Sequence, residues 1–155
     1  KYEYDNGTYC IVAPRSIDDI YREGIVLKHC IHTCDIYFQR MDIRETYLLF
    51  LRHSAEPDTP WYTVEIEPGG NIRQKKSVLN EAYKDLDDAM PFLQEWQQWV
   101  KKNLSEEDKK LAEKSDKARR EGYKKLREQK KIVWHGSLQG TLLADALESD
   151  FMEVI

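Results

Sequence analysis

Three extended segments follow one another within residues 46–75, with turn chemistry between them, and this confines the middle of the chain to a small antiparallel meander. Residues 46–52 are an unbroken run of β-branched, aromatic and aliphatic side chains up to Arg52, as in a strand buried on both faces and central in its sheet. Residues 61–67 alternate instead, with Val64 and Ile66 set between Thr63, Glu65 and Glu67. Pro68-Gly69-Gly70-Asn71 turns the chain, and residues 72–75 return. If Glu67 pairs with Ile72 across that turn, Glu65 faces Gln74, with about 5 Å between Cβ atoms.

Before the meander, Asn6-Gly7 predicts a hairpin leading into a strand over 9–13 that Pro14 ends. Ser16 and Asp19 open a two-turn helix with Ile17, Ile20 and Tyr21 on one face and Gly24 as its stop. A second helix follows over 32–41 behind Thr33, leaving His29 and Cys30 in the bend. After the meander, Leu86, Met90, Leu93, Trp96 and Val100 keep helical spacing, and Pro91 marks a kink or the first turn of a further helix. Ser105-Glu106-Glu107-Asp108 opens a helix to about residue 131, whose thin stripe is Leu111, Ser115, Ala118, Gly122, Tyr123 and Leu126. Gly136 and Gly140 precede an acidic amphipathic stretch over 142–147. The expected fold is α+β: a small, mainly antiparallel sheet with a three-stranded meander at its core, covered on one side by helices and followed by a long basic helix. Residues 1–103 form the α+β domain, and 104–155 form the basic helix and acidic C-terminal segment packed on it.

Charge is distributed unevenly. Residues 1–100 carry 11 basic and 17 acidic side chains, residues 101–131 carry 13 and 7, and the remainder carries 4 acids alone. An acidic body is a poor partner for phosphate, so only the basic helix could bind nucleic acid. Its acids and bases interleave, which makes docking on the protein's own acidic surface, a protein partner or self-association through 105–131 the preferred reading, ahead of nucleic acid. Cys10, Cys30 and Cys34 do not make an even disulfide set, no signal-peptide pattern precedes them, and the longest apolar run is residues 47–51. A cytoplasmic protein without a membrane span is expected. A start at Lys1 without Met fits a domain cut from the C-terminal part of a longer chain.

The polar residues on core-like elements define the candidate site. His29, Cys30, His32 and Cys34 crowd within six positions, but zinc sites bring a second ligand pair from far along the chain, and His53 and His135 are isolated. Cys30 and Cys34 therefore read as small buried hydrophobes, and no cofactor or metal is expected. Adjacent residues on a helix do not face each other, so His29 and Cys30 do not read as a dyad. His29 beside Glu65 would serve acid-base chemistry or be a core histidine satisfied by a strand carboxylate, and both readings stand. Arg52 would hold an anion or pair with Glu65, the pair being favoured. Thr63 and Gln74 complete the proposed ligand-binding set.

The order Glu23-Gly24, Leu27, His29-Cys30-Ile31, Tyr37, Arg52, Pro57, Pro60, Thr63-x-Glu65-Ile66, Gln74 and Asn80 resembles the PcfJ-like family over roughly residues 10–102. The family pattern has a histidine pair where this chain has Lys28 and His29, a glycine at His32 and a glycine at Ser77. The resemblance implies an accessory protein of conjugative plasmids and related mobile elements, with the domain usually C-terminal in a longer chain. Two functions follow as expectations. One is an accessory or interaction domain whose His/Arg/Glu/Gln pocket takes a ligand or partner. The other is an enzyme with His29 and Glu65 as acid-base groups and Arg52 holding an anionic, nucleotide-like substrate.

Overall fold

The computed structural model of the chain describes residues 1–29 and 35–155. Strands β1 (Tyr4–Asp5), β2 (Tyr9–Val12), β3 (Tyr47–His53), β4 (Tyr62–Ile66) and β5 (Ile72–Lys76) form one antiparallel sheet in which spatial order equals chain order. The fold is α+β, with the expected meander β3-β4-β5 and with β3 at its centre. Gly7 turns the first hairpin at φ +94°, a left-handed conformation that costs glycine nothing.

Helices cover both faces of the sheet, where cover on one side was expected. β3 is apolar on both sides, so each side needs a partner. Leu49 and Leu51 of β3, with Ile11, Tyr62, Val64, Ile66 and Ile72, pack against Phe92, Leu93, Trp96 and Val100 of α3 (Met90–Lys102). Leu48 and Phe50 point the other way, onto Ile20 of α1 (Ile17–Leu27) and Tyr37 of α2 (Asp35–Asp42). Pro91 occupies the first turn of α3, where its missing N–H is no loss.

Two local expectations are corrected. α1 runs past Gly24, which is buried within it, and ends at Leu27 with Lys28 in the left-handed region at φ 53°. The strand register holds at Glu65 opposite Gln74 but then shifts, so that Ile66 rather than Glu67 faces Ile72 and Arg73 is the extra residue of a bulge. The start of the helix predicted over 32–41, with Cys30, His32, Thr33 and Cys34, lies outside the described residues.

Helix α4 (Glu106–Glu128) opens on the expected box, with Ser105 Oγ accepting from Asp108 N–H and the Asp108 carboxylate accepting from Ser105 N–H. It lies against the body along its thin stripe, where Asp108, Ser115 and Arg119 are buried. Lys1 bonds Asp108, and Ser115 Oγ donates to the Glu45 carbonyl at 2.6 Å. Helix α5 (Leu143–Asp150) packs beside α4, where Arg127 bonds Asp145 and Glu148. Met152 then exchanges two backbone hydrogen bonds with Ile72, covering the outer edge of β5.

Trp96 is the largest fully buried side chain, and its indole N–H donates to the Tyr2 carbonyl at 2.7 Å. Trp96→Ala is expected to cost about 3–5 kcal/mol, read as a lowered denaturant midpoint at unchanged slope.

Candidate functional site

The sheet face under α1, α2 and α4 carries a row of polar side chains. Strand alternation puts Thr63 and Glu65 on that face, and Glu67 follows them at the end of β4. Glu23, Glu65 and Glu67 are each 1% exposed, and each is met by arginine. A carboxylate taken out of water costs several kcal/mol unless a cation and hydrogen bonds match it, so the arginines are required by the burial.

At one end, Arg52 Nη1 and Nη2 both donate to Glu23 at 2.6 Å, a bidentate pair, and Nε donates to the Pro57 carbonyl at 3.2 Å. Its guanidinium lies over the Phe50 ring at 4.6 Å. Thr63 Oγ1 stands 3.5 Å from Glu23 and 2.9 Å from His29 Nε2, joining the imidazole to the carboxylate through one hydroxyl. Burial pushes the Glu23 carboxyl above its ordinary value, against the opposing pull of Arg52 and Thr63.

In the middle, Glu65 accepts from Arg40 Nη1 at 3.0 and 2.8 Å, from Thr46 Oγ1 at 2.7 Å and from Gln74 Nε2 at 3.0 Å. These four bonds occupy the roughly four acceptor positions of a carboxylate. At the far end, Glu67 accepts from Arg73 Nε at 2.7 Å and from Arg119 Nη1 at 2.6 Å on both oxygens. Arg73 also bonds Glu45 and Ser115. Burial works against the Arg73 charge, but Glu67, with Glu45 and Glu65, outweighs it and holds the guanidinium above its ordinary value.

Of the residues singled out from sequence, the structure joins Glu65 to Gln74 and His29 to Thr63. Arg52 pairs with Glu23, not with Glu65 as expected. The partner of Glu65 is Arg40, because α2 crosses the middle of the row and α1 its end. Glu23 shares a helix face with Ile20 and Leu27 at spacings of three and four, a signal that ending the helix at Gly24 hid. Glu67 carried the alternation signal of β4 and Arg119 the stripe of α4, whereas Arg40 and Arg73 carried no such individual signal. Among the described residues no group of three or more His, Cys, Asp or Glu could hold a metal ion, and no helix is long and apolar enough to cross a membrane.

The Glu23–Arg52 pair forms the floor of a cleft of about 390 Å³ between α1, β2, β3 and the 54–60 loop. Arg15, Asp19, Arg22 and Asp58 stand around it, and Arg22 reaches the Asp58 carbonyl at 3.4 Å.

A five-stranded meander whose polar face is held by matched carboxylate–arginine pairs, with a cleft over one of them, defines a small α+β module. The chain matches the PcfJ-like protein family over residues 1–90, more than half its length, and belongs to that family. The match occupies the N-terminal part of this chain, not a C-terminal part, and ends short of the residue 102 reached by the motif pattern. No curated protein and no solved structure matches. Two of the positions that depart from the motif pattern of the resemblance fall on described residues. Lys28, in place of the first histidine, is exposed and caps α1, whereas His29 is the inward residue. Ser77, in place of glycine, has φ −119° and needs no glycine freedom.

Arg52→Met leaves Glu23 buried without its cation. The variant is expected to lose about 3–5 kcal/mol at neutral pH. With the lowering influence gone, the folded carboxyl lies further above its ordinary 4.5. The folded state then holds its proton where the unfolded chain has released it, so stability falls as pH rises from about 4.5. Urea melts of Arg52→Met at pH 4.5 and pH 7 check this, the variant being closer to wild type at the lower pH.

Proposed function

We propose that the chain is an accessory, interaction module of a conjugative plasmid or related mobile element, and that a partner or ligand seats in the cleft over Glu23 and Arg52. The observation that carries this reading is the internal engagement of the polar row beneath an open cleft. Both arms of Arg52 rest on Glu23, and the acceptor positions of Glu65 are filled by Arg40, Thr46 and Gln74. A general base needs an open lone pair within reach of a substrate proton. A rigid, neutral floor under a charged rim suits recognition by shape and rim charge. Membership of the PcfJ-like family supports the mobile-element setting.

The enzyme reading keeps one observation in its favour, the His29–Thr63–Glu23 hydrogen-bonded chain, in which an imidazole touches a hydroxyl. Thr63 and His29 are buried, at 2% and 4% exposure, below the floor of the cleft.

Charge reversal at the exposed rim, Arg15→Glu with Arg22→Glu, is expected to lower transfer of an element carrying this chain at least tenfold. Stability should stay within about 0.5 kcal/mol, as for surface sites generally. Unchanged transfer overturns the cleft as the partner site. Transfer abolished by Thr63→Val in a protein of wild-type stability establishes the enzyme reading instead.

A further inference from the structure

Helix α4 divides its charges by face. Asp108, Ser115 and Arg119 turn inward, and Arg120 and Arg127 on its flanks are tied to Asp116, Asp145 and Glu148. The outward face carries Lys110, Lys114, Lys117, Lys124 and Lys125, all exposed and without an ion pair among the described residues. Lys110, Lys117 and Lys124 recur every seven residues, two helical turns, and so form one straight row. The row spans fourteen residues, about 21 Å at 1.5 Å per residue. Glu106, Glu113, Glu121 and Glu128 are the acids interspersed on this face, Glu106 being tied to Lys109. Docking on the acidic body therefore uses the inner face of α4 and leaves the lysines unspent.

We propose that this lysine face binds the phosphate backbone of double-stranded DNA, independently of base sequence. Lysine is a point charge suited to phosphate, and the row offers none of the Arg, Asn or Gln forks that read base edges. Single-stranded nucleic acid is bound on stacking aromatics, whereas the aromatic of α4, Tyr123, is half-buried on its inner side. An anionic membrane also attracts lysines, but the row carries no apolar side chains that would add insertion to that attraction. The major groove of B-form DNA admits a helix between its phosphate walls, which the narrow A-form groove of duplex RNA does not. The acidic body behind α4 orients the contact by repelling the polyanion.

The test is fluorescence anisotropy of the 155-residue chain with a labelled 24-base-pair DNA duplex at several salt concentrations. Five neutralised phosphates give a slope of log affinity against log salt of about −4.5. Lys117→Glu with Lys124→Glu, at two exposed positions, is expected to weaken binding at least tenfold at 50 mM salt in a protein that still melts cooperatively, within a few degrees of wild type. Arg15→Glu with Arg22→Glu, at the cleft, is expected to leave DNA binding unchanged, which separates this surface from the proposed partner site. Absence of binding at 50 mM salt, a slope near zero, or affinity unaltered in the lysine variant overturns the proposal. So does tighter binding to duplex RNA, to single-stranded DNA or to vesicles with anionic lipid.

Discussion

Glu67 is the residue on which the arrangement of the two halves depends. It is buried at the end of β4, and its charge is balanced by Arg73 from the bulge in β5 and by Arg119 from the middle of α4. A helix with so few apolar residues has little to gain from burying its stripe. Removing one partner of a buried pair is far more costly than the pair is stabilising, so a carboxylate in this place selects one position of the helix over its neighbours. Ser115, one turn before Arg119, bonds Arg73 and the Glu45 carbonyl, and fixes the axial register of α4 from a second point.

The same logic runs along the sheet. Its α3 face is a continuous apolar core, which supplies cohesion through buried area. At its other face lie three buried carboxylates, Glu65 and Glu67 of the sheet and Glu23 of α1, matched by arginines from different elements: Arg40 from α2, Arg73 and Arg119 from β5 and α4, and Arg52 from β3. Apolar contacts tolerate sliding, whereas bidentate hydrogen bonds do not. The family match ends at residue 90, before Phe92, Leu93, Trp96 and Val100. Without those four side chains the apolar face of the sheet would lie open, so residues beyond the matched segment complete the core of the matched one.

Much of the fold could be read from residue spacing. Period-two alternation over 61–67 separated the two sheet faces, and the Pro-Gly-Gly-Asn turn placed Glu65 across from Gln74. The bulge at Arg73, whose guanidinium reaches Glu67, could not be read, because no glycine or proline marks it. Arg52 was assigned the wrong carboxylate for a related reason. Strand neighbours can be counted along a ladder, but the partner of Arg52 comes from α1, and the docking of a helix onto a strand is set by the whole packed face. Gly24 misled as a helix stop because a glycine buried inside α1 looks the same in sequence as one that caps it. The capping box at Ser105, which depends on four consecutive residues, was legible without help from packing.

Charged residues on narrow helical stripes follow from the same physics. An acid or arginine within a sparse apolar row, such as Glu23 in α1 or Asp108 and Arg119 in α4, is placed by geometry on the buried side, and burial obliges it to find an opposite charge. Its partners then lie on whichever element the stripe covers. For Glu23 that element is β3, for Asp108 the N-terminal residue Lys1, and for Arg119 the end of β4. Charges off the stripe are under no such obligation. The difference between the inner and outer faces of α4 is therefore one of constraint: Arg119 is held because an unpaired charge there would be intolerable, while Lys110, Lys117 and Lys124 stay hydrated and available to whatever anion approaches them.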